Sequence, residues 1–212
     1  RRRRQIIIFK NGGDLGRKFV SSVAPFLLEK IMKLEEKTVK KNYIYHGRII
    51  NVRNDDAELP NGKPCRREVV EHPGGVCIAA LTEDNELLFV RQFRYPYMEV
   101  IPELPAGKLE KGEDPFETGK RELEEEAGCV ADEYYDLGKF YPSPGYCGEI
   151  IHLYAAKGLT YTHQHLDVDE FLNVEKIPLE TAVEMVMSNE IKDGKSQAAV
   201  LKVKQLRDKG LW

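Results

Sequence analysis

Three glutamates stand close together in one short stretch of the chain: Glu122, Glu125 and Glu126. On an α-helix they are i, i+3 and i+4 neighbours, so their carboxylates share an arc of about 100°. Like charges at these spacings repel each other, at a cost of roughly 0.2–0.5 kcal/mol per pair in an isolated helix. The nearby cations, Lys120 and Arg121, are too few to neutralise the whole acidic run. Such a cluster suits a divalent hard cation such as Mg²⁺, or is simply a solvated acidic face.

The glutamates are predicted to lie on a helix that starts at Asp114 and runs to about Ala127. Asp114 is a good N-cap, Pro115 suits the first helical position, and Gly128 is a typical stop signal. Beside the acidic arc runs a stripe suited to packing on a sheet, made of Phe116, Gly119, Leu123 and Ala127.

Short β-rich runs precede this helix, and further strands and two helices follow it. VCIAAL and ELLFVRQF, separated by the polar turn TEDN, are interpreted as a hairpin, and Asn61-Gly62 predicts another. Later strands are expected at about 134–141, 150–156 and 171–177, and helices at 179–188 and 196–209. This order favours a mixed α/β fold.

Composition narrows the class of protein. A chain of 212 residues can form one substantial core, and a net charge of -3 gives no general attraction for nucleic acid. No apolar run approaches the roughly 20 residues needed to span a bilayer. The absence of a CxxC pair favours reduced thiols in the cytoplasm, with cysteines at Cys65, Cys77, Cys129 and Cys147.

The chain divides into three predicted parts. Residues 1–31, with four leading arginines, are either an N-terminal arm or upstream or expression-derived sequence, because Met32 begins a stretch that looks like a natural start. Residues 32–73 are expected to form a small antiparallel β lobe. The turn residues of 72–75 mark the boundary, and 74–212 form the main domain.

The stretch from Gly107 to Cys129 resembles the box of the Nudix hydrolase family, G-x5-E-x7-R-E-U-x-E-E-x-G-U, where U is aliphatic. Seven fixed positions at roughly 7% each would match by chance in about one chain per million, so the match is specific. Only the last position departs, with Cys129 in place of an aliphatic residue. The matching residues are Gly107, Glu113, Arg121, Glu122, Leu123, Glu125, Glu126 and Gly128.

The resemblance implies a metal-dependent hydrolase of a nucleoside diphosphate compound, built as an α/β/α sandwich with a mixed sheet. Arg121 is implied to hold the glutamates, and Glu113 to support the site or a further metal. The implied cofactor is Mg²⁺, with Mn²⁺ as the alternative. Because a diphosphate would be repelled by bare carboxylates, metal ions are needed to bridge the two. The implied metal ligands are Glu122, Glu125, Glu126, Glu113 and the carbonyl of Ala106.

Sequences flanking the box are similar to the ADP-ribose pyrophosphatase branch of the family. QFR, ELPAG and a proline sixteen positions after Gly128 carry this likeness. Pro144, with Gly145 in an SPG turn, is therefore a candidate substrate contact, although a simple turn would also explain SPG. The implied reaction converts ADP-ribose into AMP and ribose 5-phosphate.

In the same branch, Arg94 is a candidate for a phosphate or ribose contact, because arginine offers a bidentate fork. Arg67 and Glu68 of the β lobe are candidates for the adenine, with a plain surface arginine as the alternative for Arg67. The branch exchanges this lobe between subunits, which implies a homodimer.

The general base is expected in the loop HQHLDVDEF, where Asp167, Asp169 and Glu170 are available. Glu170 and Asp169 are favoured because relatives commonly show Glu. Two other functions stay open: hydrolysis of another nucleoside diphosphate sugar, and a sensor that binds ADP-ribose without cleaving it.

Overall fold

The protein is described by a computed structural model for residues 33–166, 168 and 170–212. The segment 1–31 and the candidate bases Asp167 and Asp169 lie outside the described residues.

The described chain forms two compact units. The N-terminal unit comprises residues 33–72 together with 143–149. The C-terminal unit comprises 73–142 and the described part of 150–212. The segment 143–149, which lies between two strands of the C-terminal unit in sequence, therefore belongs to the N-terminal unit. The division at 73/74 as a domain boundary stays a prediction.

The N-terminal unit is an antiparallel sheet in which β3 is central and pairs with the other three strands. Gly62, with φ of 81°, lies in the turn that joins β3 to β4, as the Asn-Gly signal predicts. The strands are β1 (Lys37–Lys40), β2 (Tyr43–His46), β3 (Asn51–Glu58) and β4 (Pro64–Glu71).

The C-terminal unit contains the remaining seven strands and three helices of the described residues. They are β5 (Gly75–Ala80), β6 (Glu86–Arg94), β7 (Glu99–Glu103), β8 (Ala106–Lys108), α1 (Pro115–Ala127), β9 (Cys129–Phe140), β10 (Ile151–Tyr161), β11 (Leu172–Pro178), α2 (Leu179–Met187) and α3 (Gly194–Asp208). A 3-10 turn, Tyr95–Tyr97, separates β6 from β7.

A mixed sheet in the order β8-β5-β10-β9 forms the centre of this unit, with β5 and β10 parallel. Every residue of β5 is buried, because helices cover both faces. Val76 and Ile78 pack in a cluster with Leu123 of α1. Cys77 and Ala79 pack in a second cluster with residues of α2 and α3. The expected α/β/α sandwich with a mixed sheet is confirmed.

A second sheet, in the order β11-β6-β7, corrects the hairpin expected from VCIAAL and ELLFVRQF. The TEDN turn does reverse the chain, with Asn85 at φ of 62°. Next to this turn the chain forms an isolated bridge between Leu81 and Leu87, but β5 and β6 themselves belong to different sheets. Turn residues specify a local reversal, but partners distant in sequence decide which sheet each strand enters.

The ends of α1 lie where the capping residues in the sequence predict them. The Asp114 side chain accepts hydrogen bonds from the amides of Phe116 and Glu117, and Gly128 ends the helix at φ of 60°. β9 begins directly at Cys129, several residues before the predicted strand. Within the described ranges, no helix is both long and apolar enough to cross a membrane.

Candidate active site

Glu122 and Glu126 lie on the buried side of α1, with 7% and 2% of their surface exposed. Burial is the main reason that the pKa of Glu122 rises to about 7, and the neighbouring Glu125 adds to it. Burial likewise raises the pKa of Glu126 to about 8, with Glu122 contributing as a second negative charge. A bound cation would offset the cost of charging both carboxylates in this setting.

β8 lies directly against these two carboxylates. The amide of Ala106 donates a 2.8 Å hydrogen bond to Glu126 Oε2. At Gly107, a Cβ atom would lie 1.9 Å from Glu122 Cδ, so no larger residue fits while Glu122 holds this position. The first glycine of the box is therefore explained by a close side-chain approach. The role of the Ala106 carbonyl as a metal ligand stays a prediction.

Arg121 connects several acidic residues of the box. Its Nη1 donates to Glu125 Oε2 at 2.6 Å, and its Nη2 lies 2.9 Å from Glu122 Oε1. Its Nε donates to Glu113 Oε1 at 3.2 Å. This arrangement is compatible with the implied holding role, which stays a prediction.

The three glutamates of α1 are not arranged as a complete set of metal ligands. In the part of the chain that is described, no three acidic, histidine or cysteine groups converge as metal ligands do. Glu125 is partly exposed and hydrogen-bonds to Arg121, whereas Glu122 and Glu126 are buried and lie close to β8. These two oxygen donors fit a divalent cation, and Glu125 would join them after a change of side-chain rotamer.

Glu170, just before β11, is the described member of the predicted bases. It is partly buried, and its charge acts on both Glu122 and Glu126. The structure therefore brings Glu170 close enough to the two carboxylates to influence their ionisation. Asp167 and Asp169, the other two candidates, lie outside the described residues.

Arg94 was expected to contact phosphate or ribose, and in the structure it pairs with a buried carboxylate. Its Nε and Nη2 donate to the two carboxylate oxygens of Glu103 at 2.5 and 2.7 Å. Burial opposes ionisation of Glu103, but Arg94 and Lys195 outweigh it and keep its pKa below the ordinary value. Glu103 thus occupies the Nε and Nη2 donors of Arg94, and a substrate contact of Arg94 stays a prediction.

Glu103 and Lys195 were missed by the sequence reasoning. The buried Lys195 ammonium pairs with Glu103 and, at 2.9 Å, with Asp193. Ser196 Oγ accepts a 2.8 Å hydrogen bond from the Leu104 amide, which ties the start of α3 to the chain entering β8. Glu103 lies in the ELPAG run, so a sequence motif marked its position, whereas no motif marks Lys195.

The remaining candidates lie in the N-terminal unit. Arg67 and Glu68 are exposed on β4, and the Arg67 guanidinium makes two hydrogen bonds to Glu36. Pro144 and Gly145 are exposed in the segment 143–149. That segment is joined to β4 by hydrogen bonds such as the one from the Val70 amide to the Tyr146 carbonyl, 2.8 Å. Their substrate roles stay predictions.

Comparison with known sequences identifies two families along the chain. The NUDIX domain matches residues 71–200, and the nucleoside diphosphate sugar hydrolase N-terminal domain matches residues 36–76. Together the two matches span most of the described chain.

Several curated proteins are similar over most of their length. The ADP-ribose pyrophosphatase of Bacillus subtilis (strain 168) is 45% identical over 79% of this chain and 91% of its own. The methanol dehydrogenase activator of Bacillus methanolicus is 46% identical over 78% of this chain and 91% of its own. The ADP-ribose pyrophosphatase of Mycobacterium tuberculosis is 33% identical over 78% and 82%.

Among solved structures, a crystal structure of an ADP compounds hydrolase matches with a TM-score of 0.74. It covers 85% of this chain and 99% of its own length at 21% identity, so the likeness concerns the fold.

Proposed function

Because the chain belongs to the Nudix family, we propose that it is a metal-dependent hydrolase that cleaves the diphosphate of ADP-ribose into AMP and ribose 5-phosphate. The observation that carries the proposal is the pair of buried carboxylates, Glu122 and Glu126, held against β8. Two charges in a desolvated site need a cation, and a substrate diphosphate needs the same cation to approach them.

Mg²⁺ is the proposed cofactor, with Mn²⁺ as the alternative, because oxygen ligands suit hard cations. Glu122 and Glu126 would hold it, joined by Glu125 and the Ala106 carbonyl, and Glu113 would support the site or a further metal. When bound, such a cation would polarise the phosphoryl oxygens and would offset the charge that develops on the leaving group.

The protein groups then orient the reactants and move the proton. Arg121 keeps Glu125 and Glu113 in place through charge-assisted hydrogen bonds. Glu170 is the proposed general base, since its carboxylate can accept the proton of the attacking water, and Asp169 is the alternative. Arg94 would orient the substrate by hydrogen bonds to phosphate or ribose.

The choice of ADP-ribose is supported by the two ADP-ribose pyrophosphatases among the similar proteins. Arg67, Glu68, Pro144 and Gly145 are proposed to bind the nucleotide, which agrees with their place in a single unit. We further propose a homodimer in which the partner completes the adenine site. A cytoplasmic location is supported by the four cysteines, all of which are free thiols.

Incubation of the protein with Mg²⁺ and ADP-ribose tests the proposal, with release of AMP as the expected result. Glu126→Gln should lower kcat at least about a hundredfold, because metal catalysis supplies several kcal/mol of the barrier reduction. Glu117→Gln is the matched control, since Glu117 is on the same helix but exposed and paired with Lys120. The function is refuted if no AMP forms, or if Glu126→Gln behaves like the control.

The second candidate is hydrolysis of another nucleoside diphosphate sugar. It is favoured by the 28% identity to a GDP-mannose pyrophosphatase of Escherichia coli over 80% of this chain. A panel of such compounds ranked by kcat/KM separates the two, because discrimination between substrates is measured by that ratio. Binding of ADP-ribose without turnover of any compound would instead indicate the sensor.

A further inference from the structure

The chain passes from one sheet of the C-terminal unit to the other at Leu104 and Pro105. β7 ends at Glu103 in the β11-β6-β7 sheet, and β8 begins at Ala106 in the central sheet. Leu104 lies between the two strands and is fully buried, so its backbone amide needs a hydrogen-bond acceptor. Ser196 Oγ, on α3, accepts from this amide at 2.8 Å.

Ser196 is itself held firmly at the start of α3. Its Oγ donates to Asp193 Oδ2 at 2.5 Å, and its amide donates to the same oxygen at 3.0 Å. Asp193 is the N-cap of α3 and forms a 2.9 Å ion pair with Lys195. Lys195 also pairs with Glu103, which directly precedes Leu104. Two buried polar side chains, Ser196 and Lys195, thus connect the start of α3 to two consecutive residues.

The backbone leads from Leu104 to the carboxylate pair within two residues. Pro105 has a fixed φ, and its carbonyl accepts a 2.9 Å hydrogen bond from the Ile78 amide of β5. Ala106 follows, and its amide donates to Glu126 Oε2 at 2.8 Å. Because this segment is short and stiff, the position of the Ala106 amide depends on where Leu104 is held.

We propose that Ser196 is a positioning residue for Glu126 as a metal ligand. Its hydroxyl holds Leu104, and the segment that follows sets the Ala106 amide against the Glu126 carboxylate. Removing a group that hydrogen-bonds directly to a metal ligand typically costs about 10- to 100-fold in metal affinity. Ser196 acts through the backbone, so we expect a smaller effect. The inference rests on the proposed function, because the metal site is part of it.

Three variants isolate the Ser196 hydroxyl. Ser196→Ala removes the acceptor of the Leu104 amide, whereas Ser196→Thr keeps a hydroxyl. Thr82→Ala is the matched control, since Thr82 Oγ1 also accepts a backbone amide, that of Glu86 at 3.1 Å, but in the turn between β5 and β6. The first readout is the Kd for Mn²⁺ without substrate, from the electron paramagnetic resonance of free Mn²⁺. The second is hydrogen exchange of the Ala106 amide in the metal-free protein.

Ser196→Ala should raise the Kd for Mn²⁺ and speed exchange of the Ala106 amide, each about three- to tenfold. Ser196→Thr should stay within about twofold of the wild type in both measurements. Thr82→Ala should also stay within about twofold, because it loses a similar hydrogen bond in a turn that carries no ligand of the proposed site.

A Kd for Mn²⁺ that is the same in Ser196→Ala and Thr82→Ala would overturn the inference, because the hydroxyl would then serve stability alone. Weaker Mn²⁺ binding with unchanged Ala106 exchange would also overturn it, since the effect would not pass through that amide. Equal losses in Ser196→Thr and Ser196→Ala would exclude the hydroxyl as the cause. A wild type that binds no Mn²⁺ would instead refute the proposed metal-dependent function, a distinct result that needs no variant.

Discussion

Burial of Glu122 and Glu126 gives the free protein a dependence on pH that is opposite to that of most paired carboxylates. Their folded pKa values, about 7 and about 8, lie above the ordinary glutamate value of 4.5. The folded state therefore binds more protons than the unfolded state between those values. By linkage, the free energy of unfolding is highest below pH 4.5 for these two groups and falls as pH rises toward 8.

We predict that the thermal midpoint of the protein in EDTA falls between pH 5 and pH 8.5 more steeply than that of Glu126→Gln. The neutral amide removes one of the two groups that must otherwise ionise in a buried place. Scanning calorimetry of both proteins across this pH range measures the difference.

Addition of Mg²⁺ should raise the midpoint of the wild type most at the alkaline end, because the ion binds the deprotonated carboxylates. Glu117→Gln, exposed on the same helix, should follow the wild type throughout. Parallel pH curves for wild type and Glu126→Gln would contradict the assignment of a buried, charged pair.

Among the residues of the site, those close together in sequence could be predicted, and contacts between distant residues could not. The box located Glu122 and Glu126 because its spacing is local to one helix. The partnership of Glu103 with Lys195 joins side chains 92 positions apart. Arg94 was expected to contact phosphate or ribose, which stays a prediction, and nothing in the sequence indicates that Glu103 occupies two of its donors.

At the scale of elements, the site depends on how closely α1 approaches β8. Gly107 is the point of closest approach, since a Cβ there would overlap the Glu122 carboxylate. Gly119 lies on the buried face of α1, and a Cβ there would meet only ordinary contacts, at 3.4 Å or more. The two glycines therefore differ in what a methyl group would meet.

Gly107→Ala should abolish most turnover by displacing the Glu122 carboxylate. It should lower the free energy of unfolding only slightly, because the end of a side chain can move away from the added methyl group. Gly119→Ala should leave the free energy of unfolding unchanged or raise it by up to about 1 kcal/mol, since alanine is the better helix former. Urea unfolding and kcat, measured for both variants, test the contrast. Equal activity in the two would show that Glu122 need not lie against β8.

The elements themselves were predicted unevenly. The ends of α1 were predicted because Asp114, Pro115 and Gly128 act through their own backbone neighbours. The pairing of β5 was not predicted, because its partners β8 and β10 are distant from it in sequence. Turn chemistry alone favoured a hairpin with β6, which the separate sheets correct.

At the scale of the whole molecule, the N-terminal sheet carries unusual apolar exposure for its size. Large apolar residues of β1, β2 and the turn after β2 are between 45% and 67% exposed: Val39, Tyr43, Ile44, Tyr45 and Ile49. Exposed apolar side chains on so small a sheet are candidates for an interaction surface, which agrees with the proposed dimer through this lobe.

We predict that the wild type sediments as a dimer at micromolar concentration. Ile44→Lys should weaken the dimer at least about tenfold, because an exposed apolar side chain that the partner would cover becomes a charge. Leu201→Lys, an exposed leucine on α3, is the matched control and should sediment like the wild type. A monomeric wild type at that concentration would exclude the exchanged lobe.

The hydrogen bonds between the segment 143–149 and Val70 have a practical consequence for dissecting this enzyme. Deleting residues 33–72 would not free a self-sufficient catalytic fragment. It would leave the segment from Ser143 to Glu149, which follows β9 and precedes β10 in sequence, without the strand to which it hydrogen-bonds. Separate expression of the two parts must therefore treat the N-terminal unit as two pieces of chain.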